Sequence, residues 1–233
     1  MVPEMLYRDK SMLVCYKPAG MAVQTRRMTQ MDLEYQVRNM LFREGKEPYL
    51  ALINRLDQPV EGIVLFALDP EAAADLSRQL QSGQMKKEYL AASEGKGAET
   101  SGVLTDYLLK DPGTNLSRVA EKGTKGAKKA VLSYSLMETI SSGCPEREQY
   151  LYRICLETGR HHQIRVQMAN AGMPLLGDRK YNPGTDAPSL ALCAARLSLL
   201  HPMTREEKVF SVCPEGLWFQ GFLKKNENLW TLF

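Results

Sequence analysis

Apolar and polar positions along this chain follow two rhythms, and their boundaries carry turn and cap residues. SMLVCYKPAG reads as a strand running into a turn, where Pro18 presets φ and Gly20 closes the bend. TQMDLEYQVRNMLFREG spaces Leu33, Val37, Met40 and Leu41 at helical intervals, with Thr29 as its expected N-cap and Gly45 at its end. LALINRL and GIVLFAL are short apolar runs with β-branched residues, the pattern of buried strands. DPEAAADLSRQLQSG predicts the best-bounded helix. Asp69 caps it, Pro70 opens its first turn, Ala73, Leu76 and Leu80 share a face, and Gly83 follows the end.

The second half holds more strands than helices. MKKEYLAAS, AVLSYSLMETI, YLYRICLET, LALCAARLSLLHP and KVFSVCP each predict a strand. Between Glu94 and Lys129 the composition turns to Gly, Lys and Thr, which predicts loops around one short strand. TGRHHQIRVQMANAGMP passes from strand to helix, with Ile164, Met168 and Ala171 toward the core, Gly172 at the cap and Pro174 beyond. A short amphipathic tail carries Trp218, Phe219, Phe222 and Trp230. The order predicts an α+β fold, with a mixed, mostly antiparallel central sheet flanked by helices and loops.

Composition narrows the classes. A chain of 233 residues suits one large domain or two lobes sharing a sheet. Hydrophobic residues make up 44% and charged residues 24%, ordinary for a globular protein, and no apolar run approaches the ~20 residues that span a bilayer. The five cysteines (15, 144, 155, 193 and 213) are scattered and lack a C-x-x-C pair, which argues against a disulfide framework and a structural zinc site and fits a cytoplasmic protein. His161 and His162 are adjacent, and neighbours on a helix or strand point apart, so no metal is expected. The net charge of +3 is uneven: residues 110–130 hold six basic and two acidic side chains, or +4, leaving −1 for the rest. Such a segment suits a phosphate-bearing partner.

One stretch poses a chemical question. NRLDQPVEG places Arg55 and Asp57 two positions apart between two apolar runs. Alone, an arginine and an aspartate in a turn are a solvated pair worth ~0–1 kcal/mol. The rest of the chain changes that reading.

LVCYKPAGMAV, NRLDQPVEGIVLFAL, KKEYLA, ETGRHHQIRVQMANAGMPLLGDRKY and ARLSLLHPMT occur in this order. Together they resemble the RluA-type pseudouridine synthases, whose pattern runs K-P-x-G, H-R-L-D-x-x-T-S-G-L, K-x-Y-L-A, G-R-x-H-Q-I-R, G-D-x-x-Y and L-x-F-x-H-P. The likeness spans residues 13–204 and depends on all the motifs together. Three departures stand out: Asn54 where the family has His, Val60-Glu61 where it has Thr-Ser, and Leu132 where it has Thr. The chain begins almost at the K-P-A-G turn, so residues 1–233 are expected to form a single catalytic domain without an N-terminal RNA-binding module.

The resemblance implies isomerisation of uridine to pseudouridine in tRNA or rRNA, without a cofactor; a monomer is the default expectation. Asp57 matches the catalytic carboxylate, acting on a flipped-out uridine either by attack at C1′ or by removing a proton from C2′. Arg165 matches the cation beside that carboxylate and Tyr89 the aromatic that stacks on the base. Arg55 matches the residue that fills the vacated stack, and Ile164 an apolar wall beneath the base. Arg160, Lys128 and Lys129 are candidate phosphate contacts, and Asp178 reads first as a loop or capping residue. Two other functions compete: a non-catalytic RNA binder or folding helper on the same scaffold, and a glycosidase-like hydrolase. A hydrolase ordinarily needs a second carboxylate to handle water, and within the motif only Glu61 could supply one.

Overall fold

The computed structural model describes residues 4–25, 31–45, 49–141, 148–184 and 189–226. In chain order the elements are β1 (Met5–Arg8), β2 (Met12–Lys17), α1 (Leu33–Phe42), β3 (Ala51–Leu52), β4 (Glu61–Ala67), α2 (Pro70–Ser82), β5 (Lys86–Ser93) and β6 (Ser101–Asp111). They continue with β7 (Leu116–Ala120), β8 (Lys128–Ile140), β9 (Gln149–Leu156), α3 (Gln163–Asn170), β10 (Leu192–Leu200), β11 (Glu207–Ser211) and α4 (Leu217–Lys225). This is the α+β class that the strand-rich pattern predicts. The chain divides into two compact units, Met1–Lys87 with Ala194–Pro214, and Glu88–Cys193 with Glu215–Phe233.

In the first unit β1, β2, β4 and β10 are successive neighbours, with β3 paired to β4 and β11 to β10. β2 and β4 are buried along their whole lengths, which is why both read as unbroken apolar runs. One face of the pair presents Met12, Val14, Ile63, Leu65 and Ala67 to Ala72 and Leu76 of α2. Helix α2 has the predicted ends. The Asp69 carboxylate accepts from Ala72 N at 2.8 Å, and Gly83 turns left-handed at φ 74°. In α1 the cap is Asp32, which accepts from Tyr35 N at 2.8 Å. The expected cap Thr29 lies outside the described residues, as do Cys144 and Trp230.

The second unit is an antiparallel series, β5-β9-β8-β6-β7. Leu108, Ala130 and Val166 form a small core between β6, β8 and α3, flanked by Val119 and Tyr181. In α4 Phe219 and Phe222 are fully buried, and Trp218 Nε1 donates to Ser189 O at 2.8 Å.

Two strand expectations need correction. Residues 94–129 hold a strand of eleven residues (β6) and a second of five (β7), joined by a turn in which Asp111 accepts from Gly113 N at 2.8 Å and from Thr114 Oγ1 at 2.9 Å. Polar residues dominate here because only one face of β6 is covered, so composition concealed the alternation. LALINRL is a strand only at Ala51–Leu52. From Asn54 the chain leaves the pairing.

No disulfide joins the described cysteines. Burial pushes the Cys15 thiol up to about 12, so it stays protonated. No described helix is long and apolar enough to cross a membrane.

Candidate active site

Asp57 sits on the connection between the antiparallel strands β3 and β4. The turn is closed by Val60 N donating to Asp57 O at 3.0 Å, and the Asp57 side chain is half-buried. Two buried polar side chains hold this connection. Asn54 acts as a side-chain peptide: its Nδ2 donates to Ile63 O at 3.1 Å and its Oδ1 accepts from Leu65 N at 2.7 Å. Both bonds run to β4, so the amide continues the pairing after the backbone has turned away. The departure from His at this position therefore supplies a fastening of its own.

The second holder is Lys17, at the end of β2 and fully buried. Its ammonium donates to the carbonyls of Pro18 (2.9 Å), Met21 (2.7 Å) and Gln58 (3.1 Å). Gln58 is also tied twice to Gly20, through its carbonyl and through its side-chain amide, both at 2.9 Å. A buried charge is tolerated when its donors are satisfied, and here they bind the K-P-A-G turn to the residue next to Asp57. Beside it opens a pocket of about 370 Å³ lined by Ala22, Val23, Gln24, Arg55, Leu56 and Gln58. Asp57 is not among its walls. Arg55 is exposed, and its guanidinium reaches Gln24 Oε1 at only 3.4 Å.

The Val60-Glu61 departure is absorbed into the core. Val60 and Glu61 are both 2% exposed, and Glu61 Oε2 accepts from Tyr16 Oη at 2.5 Å. Gly62 follows with φ +119°, and a Cβ there would lie 2.4 Å from Ala194 O and 2.6 Å from Ala194 N. Only glycine fits that approach.

The second unit carries the other predicted residues. Helix α3 starts after His162, whose backbone is left-handed at φ 54°. Its first residue, Gln163, folds back over the preceding turn. It accepts from Thr158 Oγ1 at 2.8 Å and Arg160 N at 3.0 Å, and donates to Val131 O at 3.0 Å. This anchor sets the next two residues, Ile164 and Arg165, which are 4% and 5% exposed. Arg165 lies against Asp178 in a two-point fork, Nε to Oδ2 at 2.8 Å and Nη2 to Oδ1 at 2.6 Å. The Asp178 side chain is wholly buried. Its expected role as a loop residue is thus incomplete. It does accept from Lys180 N at 3.0 Å and Tyr181 N at 3.2 Å, but it also neutralises Arg165.

Tyr89, on β5, is 7% exposed and stands opposite Ile154 of β9. The histidines do not point apart. The left-handed turn at His162 stacks the His161 and His162 rings 3.8 Å apart. His161 Nδ1 faces Ser117 Oγ at 2.9 Å, and His162 Nδ1 faces Tyr181 Oη at 2.8 Å. Among the described residues no group of three or more His, Cys, Asp or Glu side chains is placed to hold a metal ion.

The candidate phosphate contacts divide. Lys128, Lys129 and Arg160 are all exposed, and Arg160 Nε donates to Lys129 O at 2.9 Å. Lys129 stands opposite Tyr107 and shares a sheet face with Leu109 and Arg118, whereas Lys128, opposite Leu108, shares the α3 face. Lys110, Arg118, Lys122 and Lys125 are exposed around the same β6–β7–β8 turns.

Sequence reasoning missed Lys17, Tyr181 and Gln163 as site-building residues and gave Asp178 the lesser role. Gln163, Asp178 and Tyr181 lie within matched motifs, which was the available signal. Lys17 lies in the matched K-P-x-G turn as well, but its burial runs against lysine's usual exposure.

Comparison with known proteins bears on this arrangement. Residues 11–170 match the family model described as RNA pseudouridylate synthase. Among curated proteins the chain is similar to tRNA pseudouridine synthase C of Vibrio parahaemolyticus, 29% identical over 238 residues, covering 95% of this chain and 94% of the relative. It is also similar to tRNA pseudouridine synthase C of Haemophilus ducreyi, 31% identical over 231 residues, covering 92% of each. Among solved structures, Human RNA Pseudouridylate Synthase Domain Containing 4 superposes with a TM-score of 0.75 at 21% identity, over 96% of this chain and 93% of that one. Human RNA Pseudouridylate Synthase Domain Containing 1 gives 0.74 at 20%, over 91% and 83%. At these identities the two structures speak to the fold alone.

Proposed function

Because the chain belongs to the RNA pseudouridylate synthase family and is an isomerase of that kind, we propose that Asp57 is the carboxylate that acts on a flipped-out uridine in transfer RNA or ribosomal RNA. The named relatives are tRNA enzymes, so transfer RNA is the first substrate to test. In the reaction the N1–C1′ bond breaks, the base turns, and C5 bonds to C1′ while its hydrogen leaves as a proton and N1 takes one proton up. Atoms and electrons balance within the nucleoside, so the step calls for no cofactor. Positive character at C1′ is what a carboxylate can stabilise or trap. Extruding the base costs a few kcal/mol, which exposed Arg55 offsets by stacking in the gap.

The observation that carries this reading is the fastening of the Asp57 connection by Lys17, Asn54 and the doubly bound Gln58. A half-buried carboxylate is set on a rigid support there, beside a pocket within the ~300–1,000 Å³ of ligand sites. Arg165 serves as the cationic partner of the reacting carboxylate. Tyr89 stacks on the base, a contact worth ~1–3 kcal/mol, with Ile164 as the apolar wall. Arg160, Lys128 and Lys129 meet phosphates. The protein works as a monomer, as a single catalytic domain and without a metal. Glu61 is engaged by Tyr16 inside the β2–β4 pair, which argues against its use as the second acid of a hydrolase.

The test is release of tritium from [5-³H]uridine in cellular tRNA and rRNA. Wild type releases it and leaves RNA mass unchanged. Asp57→Ala releases none yet binds RNA within a few-fold of wild type, and Arg165→Met loses turnover far more than affinity. No release by wild type from either RNA, or a free base by mass spectrometry, would overturn the proposal.

A further inference from the structure

Arg165 is buried on a helix whose first turn is already occupied by backbone contacts, so its guanidinium direction must be fixed by what surrounds it. Asp178 fixes it in the plane: the fork of Nε–Oδ2 at 2.8 Å and Nη2–Oδ1 at 2.6 Å allows one rotation only. Tyr181 fixes it out of the plane, with the Arg165 guanidinium carbon over its ring at 5.3 Å from the centroid. The two constraints are one piece of chain, because Oδ1 of Asp178 accepts from Tyr181 N at 3.2 Å.

The far end of Tyr181 is anchored as well. Its hydroxyl accepts from Ser117 N of β7 at 2.7 Å and faces His162 Nδ1 at 2.8 Å. Ser117 is itself buried, and its hydroxyl bonds His161 O at 2.9 Å. A continuous path of packed groups thus runs from β7 through Tyr181 to the guanidinium.

We propose that Asp178 and Tyr181 are positioning residues for Arg165, Asp178 setting its in-plane rotation and Tyr181 its tilt. The proposal rests on the role given to Arg165 above. Neither residue meets the substrate; both act on turnover through the cation. Their removal therefore lowers kcat while leaving RNA affinity nearly intact, whereas a merely structural loss would lower the active fraction and leave kcat per folded molecule unchanged.

The experiment measures kcat by tritium release and RNA Kd by filter binding, both corrected for folded fraction, in Asp178→Asn, Tyr181→Leu, Tyr181→Phe and Arg165→Met. Asp178→Asn keeps the shape and removes the charge; it should lower kcat at least tenfold with Kd changed less than threefold. Tyr181→Leu, which removes the ring, should lower kcat about tenfold. Tyr181→Phe keeps the ring and should restore kcat to within threefold of wild type. If Asp178→Asn does not fold, the tyrosine pair decides alone. Equal kcat in Tyr181→Leu and wild type, equal losses in the Leu and Phe variants, or parallel falls in kcat and affinity each overturn the inference. If Arg165→Met itself keeps wild-type turnover, the failure lies in the role of Arg165. Loss in Arg165→Met without loss in the Asp178 or Tyr181 variants isolates the failure to positioning.

Discussion

Replacing Lys17 with methionine tests the support beneath Asp57 without touching the carboxylate. The two side chains have similar length, so packing is nearly kept while three charged-donor hydrogen bonds vanish. The acceptors fare differently. Gln58 O keeps Gly20 N at 2.9 Å, and Pro18 O keeps a long bond from Met21 N at 3.4 Å. Met21 O loses a partner at 2.7 Å. Counting ~1–3 kcal/mol for the acceptor left poorly satisfied and ~0.5–1.5 kcal/mol for each of the other two gives roughly 2–6 kcal/mol, offset in part because methionine needs no hydration. A net loss of about 3 kcal/mol shifts the urea midpoint by ~1 M at an m-value near 3 kcal/mol/M. Turnover should fall further than folded fraction explains, because the Lys17 ammonium no longer joins Gln58 O to the carbonyls of Pro18 and Met21. The assay pairs urea denaturation followed by fluorescence with tritium release under conditions where the variant is folded. A midpoint within ~0.3 M of wild type, about 1 kcal/mol at that slope, together with unchanged kcat would refute the reasoning.

Other consequences follow from the same geometry. Gly62→Ala puts a Cβ 2.4 Å from a backbone oxygen at φ +119°, and strain plus overpacking should cost at least ~3 kcal/mol; a thermal midpoint near wild type would contradict the close approach. Burial pushes the Asp9 carboxyl up, but bonds from Met12 N, Ser11 N, His201 and Tyr7 outweigh it and hold it below its ordinary value. That stability is present above the unfolded pKa of ~3.9 and lost as pH falls through the lower folded value. Asp9→Asn should therefore be less stable than wild type at pH 7 by urea denaturation, and the gap should close below about pH 4; a gap independent of pH refutes it. RNA affinity should weaken as salt rises. Changing Arg118, Lys122 and Lys125 together to glutamine should flatten the log–log slope by ~0.7–0.9 for each phosphate that is no longer neutralised; an unchanged slope removes those residues from the RNA surface.

Much of the scaffold could be read from residue pattern because its signals are local. The Asp69 cap, Pro70 and Gly83 bracket α2 within the chain itself, and the double-sided burial of β2 and β4 appears as plain apolar runs. The motifs single out Asp57, Arg165 and Tyr89 as candidates but give no account of what holds them. The pattern gives only one short strand where β6 and β7 lie, because one face is open and the alternation is diluted with Lys, Thr and Gly. The stacking of His161 on His162 depends on one left-handed backbone angle that no spacing rule anticipates. The Arg165–Asp178 fork joins residues thirteen positions apart through a turn, and one of the three carbonyls that satisfy buried Lys17, that of Gln58, comes from a distant loop. Such long-range satisfaction of polar groups is what a linear pattern carries least well.

The amide of Asn54 has a consequence for how this protein can change. Since it substitutes for a peptide unit in fastening to Ile63 and Leu65, the alignment of the neighbouring strand is secured before residues 55–60 begin. Arg55, exposed within that stretch, can therefore be exchanged while the sheet beneath keeps its registration.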